Sequence, residues 1–350
     1  MSLALISGST GLVGSETATF LLNKGFDVIG IDNNERSKLF GKDGDTSRIK
    51  RRLKKTYKSY KHFDIDITNR SNLEKIFKKY KNRFSFILHA AAQPSHDWAK
   101  TNITKDFNIN AVGTLNMLDL TRLYSPKAKF IFTSTNKVYG DNPNKFKFIE
   151  KLTRWELKKT DKFYKGIDES LSIDNCTHSF FGVSKSYADL LAQEYNNNFG
   201  MNVACFRAGC ITGPNHSGAE LHGFLSYLVK SCIKKKSYKL IGYKGKQVRD
   251  NLHSYDLTNA FWNYYKRPVK DSLFNIGGSR YSNCSILEAI QYVEKKLGID
   301  VKKIKIEIPR VGDHQWYITD ITKFKKSYPN FKLKYNVPKI LDEIIETFAN

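Results

Sequence analysis

Residues 3–14 read LALISGSTGLVG, a short apolar run followed at once by the glycines Gly8, Gly11 and Gly14. The apolar run is typical of a buried strand, and the sequence from Gly11 to Lys24 has the periodicity of a helix. Glycines at this spacing between a strand and a helix allow a tight turn, close packing of the helix on the strand and close approach of a phosphate to the backbone. The segment therefore predicts the first βα unit of an α/β fold with a phosphate-binding loop.

The same alternation of apolar runs and helical segments continues along the first 210 residues. Further strands are predicted at 28–31, 84–88, 130–132 and 203–206, and further helices at 71–80, 106–123 and 182–199. Continuous apolar strands separated by helices predict a parallel sheet that is covered on both faces. The long polar segment 33–57 lies between two of the strands, and a segment of that length is usually functional or carries a short helix of its own.

The pattern loosens after Gly213, where helices are predicted near 223–235, 256–266 and 285–297. We therefore predict an α/β fold: a Rossmann-type doubly wound parallel sheet over residues 1–210, and a smaller C-terminal α/β substrate-binding lobe over residues 211–350. Whether the chain crosses between the two domains is left open.

The composition is globular, because 40% of the 350 residues are hydrophobic and 13% are aromatic. The longest apolar stretches fall well short of the ~20 residues that span a bilayer. The N-terminal residues contain neither a basic segment nor a long apolar one of the kind found in signal peptides. We therefore predict no membrane association and a cytoplasmic location.

The chain is strongly basic, with 58 Lys and Arg against 34 Asp and Glu and a formal net charge of +24. Basic residues concentrate at 48–55 and 234–236, where they would attract nucleic acid or acidic small molecules. The alternative is that these lysines and arginines lie on solvated faces. Since no RNA-recognition signature with interleaved aromatic residues is present, we expect no nucleic-acid partner. The five cysteines and eight histidines form no metal-binding pattern, so no metal is expected.

A dinucleotide site is predicted around the glycine loop. The N–H groups at the start of the helix would hold the phosphates, and Asp32 ends the next strand 18 residues after Gly14, near the spacing of a ribose-binding acid. A carboxylate there repels a 2′-phosphate, which favours NAD over NADP, although Arg36 is close in sequence. The predicted cofactor-binding residues are Gly8, Thr10, Gly11, Leu12, Val13, Gly14, Asp32, Asn33, Asp66, Ile67, Ala90, Ala91, Ala92 and Lys185.

Several further segments carry a family resemblance. They are His89-Ala90-Ala91-Ala92, Asn110-Ala111-Val112-Gly113-Thr114, Ser134-Thr135-Asn136-Lys137-Val138-Tyr139-Gly140, Gly182-Val183-Ser184-Lys185 and Gly245-Lys246-Gln247-Val248-Arg249-Asp250. With the glycine loop they resemble the extended short-chain dehydrogenase/reductase family of NAD-dependent sugar-nucleotide epimerases and dehydratases. The likeness covers nearly the whole chain, and two segments, 134–140 and 245–250, resemble the branch that epimerises CDP-sugars at C2.

The resemblance implies bound NAD, a nucleotide-sugar substrate and a role for individual residues. Asn110 would support the active site, Thr135 would hydrogen-bond the sugar hydroxyl that is oxidised, and Lys185 would bind the nicotinamide ribose. Arg249 would pair with the substrate pyrophosphate, for which a guanidinium is geometrically suited. The other implied substrate-binding residues are Gln93, Asn136, Tyr164, Arg207, Asn215 and His216, with His222 as a further candidate. The resemblance also implies a homodimer formed by helices within 106–123 and 182–199.

The pair Asn136-Lys137 favours an epimerase over a dehydratase. The family's 4,6-dehydratases carry Asp-Glu at this place, an acid and a base that remove water next to a ketone. Asparagine and lysine cannot do this in the same way. The sequence therefore counts against a dehydratase and favours an epimerase or a simple oxidoreductase.

Phe181 is a departure from the family's catalytic Tyr-x-x-x-Lys motif, since it stands four residues before Lys185. A phenyl ring has no hydroxyl to exchange a proton with the substrate. Three explanations stay open: another group is the base, the chain is an engineered Tyr→Phe variant, or it binds NAD, a nucleotide sugar or RNA without turnover. The alternative bases are Tyr164, Tyr139, His178, Asp168, Cys176 and Lys137. A dehydrogenase or reductase that releases NADH is also left open.

Overall fold

Strands and α-helices alternate along residues 2–216, 223–309 and 312–349, the part of the chain that the computed structural model describes. The strands are β1 (Leu3–Ser7), β2 (Asp27–Ile31), β3 (Tyr60–Phe63), β4 (Phe84–His89), β5 (Lys129–Thr135), β6 (Phe148–Glu150), β7 (Trp155–Leu157), β8 (Val203–Ala208), β9 (Cys210–Thr212), β10 (Tyr238–Ile241), β11 (Val248–His253), β12 (Leu273–Ile276), β13 (Asn283–Ser285), β14 (Lys303–Ile306) and β15 (Trp316–Tyr317). The α-helices are α1 (Leu12–Asn23), α2 (Glu35–Phe40), α3 (Ser47–Thr56), α4 (Arg70–Lys79), α5 (His96–Thr101), α6 (Ile103–Phe107), α7 (Gly113–Tyr124), α8 (Phe180–Phe199), α9 (Phe224–Ile233), α10 (Ser254–Lys266), α11 (Ile286–Leu297), α12 (Thr322–Ser327) and α13 (Val337–Ala349).

The central sheet has seven strands in the order β12-β8-β5-β4-β1-β2-β3. β1 pairs in parallel with β2 on one side and with β4 on the other, so the strand order reverses direction at β1. In open α/β sheets this switch point leaves a crevice beyond the carboxyl ends of the strands, and ligands bind there. The structure confirms the predicted Rossmann-type doubly wound fold and places the glycine loop directly after β1.

The core of the sheet explains why these strands read as continuous apolar runs. Every residue of β1 is buried, and one core cluster contains Leu5, Ile87 and Phe130 from three neighbouring strands. Helices cover the sheet and bury both of its faces, so a polar residue at any of these positions would be removed from water at a cost. The apolar runs of the sequence are thus a direct consequence of this burial.

Two segments near the sheet's ligand-binding edge bear on the predicted elements. The segment between β2 and β3 forms α2, a 3₁₀ turn at Gly41–Gly44 and α3, so it carries short helices, one of the two alternatives that its length suggested. The predicted single helix over 106–123 is wrong in detail, because a π-helical turn at Asn108–Val112 separates α6 from α7. Such turns hold one extra residue and are frequent at functional sites.

The described chain divides into two compact units. Unit 1 contains Met1–Val138, Phe180–Arg207 and Thr258–Phe274, and unit 2 contains Tyr139–Ser179, Ala208–Leu257 and Asn275–Asn350. The division into domains at 1–210 and 211–350 stays a prediction. None of the helices in the described residues is long and apolar enough to cross a membrane.

Unit 2 has small sheets and an apolar core of its own. β11 pairs with β13, β15 and β9, while β10 with β14 and β6 with β7 form two-stranded sheets. Its core cluster includes Leu228 of α9, Ile290 of α11 and Ile344 of α13. α11 begins with a capping box, in which Ser285 and Glu288 each satisfy the other's free backbone N–H.

Candidate active site

The glycine loop of unit 1 has no room for a side chain at Gly8 or at Gly14. Gly8 has a φ of +70°, a conformation that glycine adopts at little cost. A Cβ on Gly8 would lie 2.7 Å from the backbone nitrogen of Ala91, and a Cβ on Gly14 would lie 2.0 Å from the carbonyl oxygen of Gly8. The start of α1 therefore packs directly on the loop, and its free N–H groups can meet a phosphate at backbone distance.

Asp32 is held at the end of β2 by two backbone donors. Its carboxylate accepts hydrogen bonds from the Thr10 nitrogen at 3.0 Å and the Asn34 nitrogen at 2.8 Å. A carboxylate has further lone pairs, so these bonds leave acceptor capacity for hydroxyl groups of a ligand. Arg36 is beside it: burial lowers the pKa of this guanidinium, and the charge of Asp32 opposes that effect.

The other predicted cofactor-binding residues lie at the same edge of the sheet. The side-chain amide of Asn33 donates to Asp66 at 3.2 Å, and Ile67 is buried next to them. After β4, the backbone nitrogens of Ala90 and Ala91 donate to the carbonyl and the hydroxyl of Ser7. The ends of β1, β2 and β4 and the segment after β3 thus bring together residues that are far apart in sequence.

Lys185 and Phe181 lie one helical turn apart on α8. The Lys185 ammonium is buried, donates to the Thr133 carbonyl oxygen at 2.8 Å and lies 4.3 Å from the centre of the Phe132 ring. Burial lowers its pKa to about 8, although the charges of nearby acidic groups oppose this shift. Phe181 is buried as well, and its ring meets the ring of His96 edge to face, with 4.8 Å between the ring centres.

Thr135 ends β5, and Asn136 begins the 3₁₀ turn that follows it. The backbone nitrogen of Lys137 donates to the Thr135 hydroxyl oxygen at 3.2 Å, and this hydroxyl donates to the Asn136 side-chain oxygen at 3.4 Å. Thr135 is only partly buried, so its hydroxyl stays within reach of a ligand, whereas Asn136 is buried.

Asn110 is held by a network of buried polar groups. Its side-chain oxygen accepts from the Gln93 nitrogen at 3.0 Å, and its amide nitrogen lies 3.1 Å from both the Ser184 hydroxyl and the Asp106 carboxylate. Asp106 also accepts from Ser184 at 2.6 Å and from the Gln93 amide at 2.7 Å. Burial raises the pKa of Asp106, and the hydrogen bonds from Ser184 and Gln93 oppose the rise.

Two of the predicted substrate-binding residues of unit 1 are hydrogen-bonded inside the protein. Gln93 is fully buried, and its amide bonds to Asp106 and to the backbone of Ser95. Arg207 is buried in an ion pair with Asp189, with nitrogen–oxygen distances of 2.7 and 3.1 Å. Sequence analysis missed Asp106 and Asp189, because no local pattern marks a carboxylate whose partners are distant in sequence.

The predicted substrate-binding residues of unit 2 also have protein partners. The Arg249 guanidinium donates to the Val248 carbonyl oxygen at 2.8 Å and forms an ion pair with Asp313. The guanidinium of Arg280 lies over the Tyr164 ring, 4.2 Å from its centre. His216 is buried, Asn215 is partly buried, and His222 lies outside the described residues.

The neutral side chain of His89 links Ser7, which directly precedes the glycine loop, to Thr114, which directly follows the first residue after the π-helical turn. Ser7 bonds to its Nδ1 at 2.7 Å, Thr114 bonds to its Nε2 at 2.9 Å, and Thr114 donates onward to the Asn110 carbonyl oxygen. Because the Thr114 proton is used there, Nε2 is the donor and Nδ1 accepts from Ser7. Burial, together with the charge of Lys185, lowers the pKa of His89 to about 3.

No group of three or more His, Cys, Asp and Glu side chains within residues 2–216, 223–309 and 312–349 is placed to hold a metal ion.

Comparisons with known proteins agree with this geometry. The model of the family described as "NAD dependent epimerase/dehydratase family" matches residues 4–277. CDP-paratose 2-epimerase of Salmonella typhi is 30% identical over 97% of this chain and 98% of its own length. UDP-glucuronate 4-epimerase of Thermodesulfobacterium geofontis is 25% identical over 93% of this chain and 90% of its own.

Two solved structures share the fold over nearly the whole chain. UDP-glucuronic acid 4-epimerase of Bacillus cereus in complex with UDP-glucuronic acid and NAD has a TM-score of 0.77 and 20% identity, and covers 99% of both chains. UDP-glucose 4-epimerase of Thermus thermophilus in complex with NAD has a TM-score of 0.77 and 19% identity, also over 99% of both chains.

The neutral state of His89 predicts a loss of stability in acid. The folded-state pKa of about 3 lies below the ~6.5 of an unfolded histidine, so the unfolded state binds the extra proton first. The free energy of unfolding should therefore fall as the pH drops from about 6.5 towards 3, by up to about 1.4 kcal/mol per pH unit from this residue. Urea denaturation between pH 7 and pH 4 measures it: His89→Gln should fall less steeply than the wild type.

Thr17→Ala is the matched control, since it removes a buried hydroxyl that bonds to Thr258 and touches no titrating group. Its unfolding free energy should run parallel to that of the wild type at every pH. Parallel curves for the wild type and His89→Gln would show that His89 does not stay neutral on folding.

Proposed function

Since the chain belongs to the NAD-dependent epimerase/dehydratase family, we propose that it is an epimerase of a nucleoside-diphosphate sugar, of the type that acts on CDP-paratose and CDP-tyvelose at C2. One observation carries the proposal: the glycine cradle after β1 and the buried ammonium of Lys185 belong to one compact unit. The sequence similarity to CDP-paratose 2-epimerase extends over nearly the full length of both proteins and supports this choice of substrate.

The cofactor of the family is NAD, and the residues of unit 1 fit it. The cradle around Gly8 and Gly14 leaves room for a pyrophosphate, which the N terminus of α1 would bind. Asp32 keeps acceptor capacity for ribose hydroxyls, and its negative charge disfavours a 2′-phosphate. Bound NAD supplies the acceptor and donor of a hydride.

The residues of the chain orient the sugar and keep the reacting carbon away from water. Thr135, held by the backbone of Lys137, would hydrogen-bond the hydroxyl that is oxidised. Lys185 would bind the nicotinamide ribose, and its positive charge would stabilise a developing alkoxide. The substitution of an acid–base pair by Asn136 and Lys137 supports epimerisation over loss of water.

Arg249, Tyr164, Asn215 and His216 are proposed to bind the nucleotide part of the substrate. The Arg249 guanidinium is fixed by its bond to the Val248 carbonyl oxygen, which orients its outer edge. Asp313 holds that edge in the absence of substrate, and a pyrophosphate would take the place of this carboxylate. Exchange of one anion for another keeps the buried guanidinium paired throughout.

We also propose that the protein is a homodimer formed through α6, α7 and α8. Exposed apolar side chains cluster on these helices, namely Ile103, Phe107, Leu123, Phe180, Val183, Tyr187, Leu190 and Phe199. Phe107 and Tyr187 are in ring contact, so α6 and α8 contribute to one apolar surface. An exposed apolar surface of this kind is typical of a subunit interface, and a second copy would bury it by two-fold symmetry.

Catalysis is tested by incubating the purified protein with CDP-paratose or CDP-tyvelose and following the C2 proton by NMR. We expect interconversion of the two sugars without accumulation of NADH, because the hydride returns to the substrate in each cycle. A wild-type chain that converts neither sugar contradicts this substrate assignment, and steady release of NADH would indicate a dehydrogenase.

Cofactor binding is tested with Gly14→Ala. The added Cβ would lie 2.0 Å from the Gly8 carbonyl oxygen, so the loop must shift away from its phosphate-binding shape. We expect at least tenfold weaker binding of NAD in calorimetric titration. Gly25→Ala is the control for lost stability alone, because an alanine at its φ of +80° is strained, whereas its Cβ would meet open space past the end of α1 and leave the loop unchanged. Wild-type affinity in Gly14→Ala would mean that the loop does not hold the pyrophosphate.

The dimer is tested by light scattering of Leu190→Asp. Leu190 is 47% exposed on α8, so a charge there should leave the subunit folded and remove the apolar contact, which yields a monomer. Leu152→Asp is the control, since Leu152 is 90% exposed and does not belong to α6, α7 or α8; this variant should stay dimeric. A dimeric Leu190→Asp protein would contradict the proposed interface.

A further inference from the structure

Phe181 leaves the proposed reaction without the phenol that its family uses to exchange a proton with the sugar hydroxyl. Three of the alternative bases named from the sequence, Tyr139, Cys176 and His178, are hydrogen-bonded within unit 2. The Tyr139 hydroxyl is fully buried and donates to Asn275 at 2.8 Å. The Cys176 sulfur lies 3.3 Å from Nε2 of His178, and both groups bond to the same backbone carbonyl oxygen.

The carboxylates and the imidazole nearest to Lys185 are also unsuited to exchange protons with a ligand. Asp106 accepts hydrogen bonds from three side chains, and Asp189 is paired with Arg207. Both of the ring nitrogens of His89 are bonded to hydroxyl groups of the protein. All three groups are buried, so a sugar hydroxyl would have to displace a bonded partner to reach them.

His96 is the titratable side chain that the structure places against the ring of Phe181. The two ring centres are 4.8 Å apart at an angle of 62°. His96 is only partly buried, in contrast to Phe181, so its imidazole is accessible to a ligand. It opens α5 just after β4, at the carboxyl-end edge of the sheet where the glycine loop lies.

The backbone on both sides of this contact is fixed by the same buried network. The Ser95 hydroxyl caps α5 by accepting from the Trp98 nitrogen, and the Gln93 amide bonds to the Ser95 backbone and to Asp106. Asp106 in turn accepts from Ser184, one helical turn from Phe181 on α8. The position of His96 relative to α8 is therefore set by hydrogen bonds that involve the start of α5, Asp106 and α8.

We propose that His96 is the general base and acid of the reaction and takes over the task of the missing phenol. As the C–H hydride leaves for the oxidised NAD of the proposed function, the substrate O–H bond breaks, its electron pair forms the C=O bond and its proton passes to the imidazole. When the hydride returns to the opposite face of the keto sugar, the imidazolium gives the proton back to the oxygen. Each cycle therefore balances in protons and electrons.

A phenylalanine at position 181 is compatible with this assignment. Its ring fills the space that the ring of the family's tyrosine would fill, four residues before Lys185 on α8. The proton passes to the neighbouring imidazole of His96 and not to a phenol. Imidazole is also the side chain most often used in general acid–base catalysis. This inference rests on the proposed function, since it assigns a residue to that same reaction.

The test measures turnover of CDP-paratose by NMR in four NAD-loaded proteins: wild type, His96→Gln, Phe181→Tyr and the double variant His96→Gln/Phe181→Tyr. We expect His96→Gln to lose at least about 100-fold in kcat, with KM, NAD affinity and thermal stability close to those of the wild type. The double variant should recover at least tenfold over His96→Gln, because it restores a phenol four residues before Lys185. Asp97→Asn, an exposed neighbour on α5, is the control and should stay active.

The outcomes separate the two proposals. An active wild type with an equally active His96→Gln overturns the role of His96 and leaves the epimerase standing. A loss in His96→Gln that Phe181→Tyr does not reverse also overturns it, since a structural effect of His96 would not be repaired by a phenol on α8. A wild type that converts no CDP-sugar overturns the proposed substrate and the role of His96 with it.

Discussion

The close approach of α1 to the end of β1 is the constraint on which the rest of unit 1 depends. A methyl group on Gly14 would meet the carbonyl oxygen of Gly8 at 2.0 Å, and one on Gly8 would meet the backbone after β4. The loop after β1, the start of α1 and the segment after β4 therefore meet at Gly8 with only backbone between them. The packed apolar strands make this edge of the sheet rigid. The lack of side chains at Gly8 and Gly14 lets a phosphate approach the backbone there.

The buried charges of unit 1 lie along α8 and are paired on both of its sides. Ser184 donates to Asp106, while Asp189, just over one turn later, accepts from Arg207 and Ser134. Burying a charge costs several kcal/mol unless partners replace its water, and each carboxylate here has at least two donors. The charges of these two carboxylates favour the ammonium form of Lys185, whereas its burial favours the neutral amine.

The sequence alone predicts those parts of the site that depend on local chemistry. The glycine loop and Asp32 were predicted from spacing and residue type, and Lys185 was predicted from the family resemblance. The structure places the first two at the ends of β1 and β2 and places Lys185 on α8. The substrate-binding assignments of Gln93 and Arg207 follow the family resemblance. Their buried partners Asp106 and Asp189 are 13 and 18 residues away in sequence, and no periodicity indicates such pairs.

His96 and the π-helical turn were beyond sequence analysis for the same physical reason. A histidine in a polar segment has no periodicity, and its contact with Phe181 depends on how α5 packs on α8. The prediction of one helix over 106–123 was correct in its apolar pattern, but propensity does not distinguish an α turn from a π turn. Hydrogen bonds from Asn110 to Gln93 and Asp106 stabilise the turn, and they are formed only in the folded chain.

The π-helical turn at Asn108–Val112 also has a consequence for how this helix can change in evolution. A turn with one extra residue is what a single-codon insertion into an α-helix leaves behind, and deletion of one residue would restore regular geometry. Because the extra residue is taken up within the π turn, this deletion would leave α6 and α7 in register and change only the side-chain directions inside the turn. Asn110 lies inside the turn, so its amide would lose its present bonds to Gln93 and Asp106. Once this network had formed, removal of the inserted residue would break its hydrogen bonds. The side chains of the turn, and not its backbone, therefore fix the length of this helix.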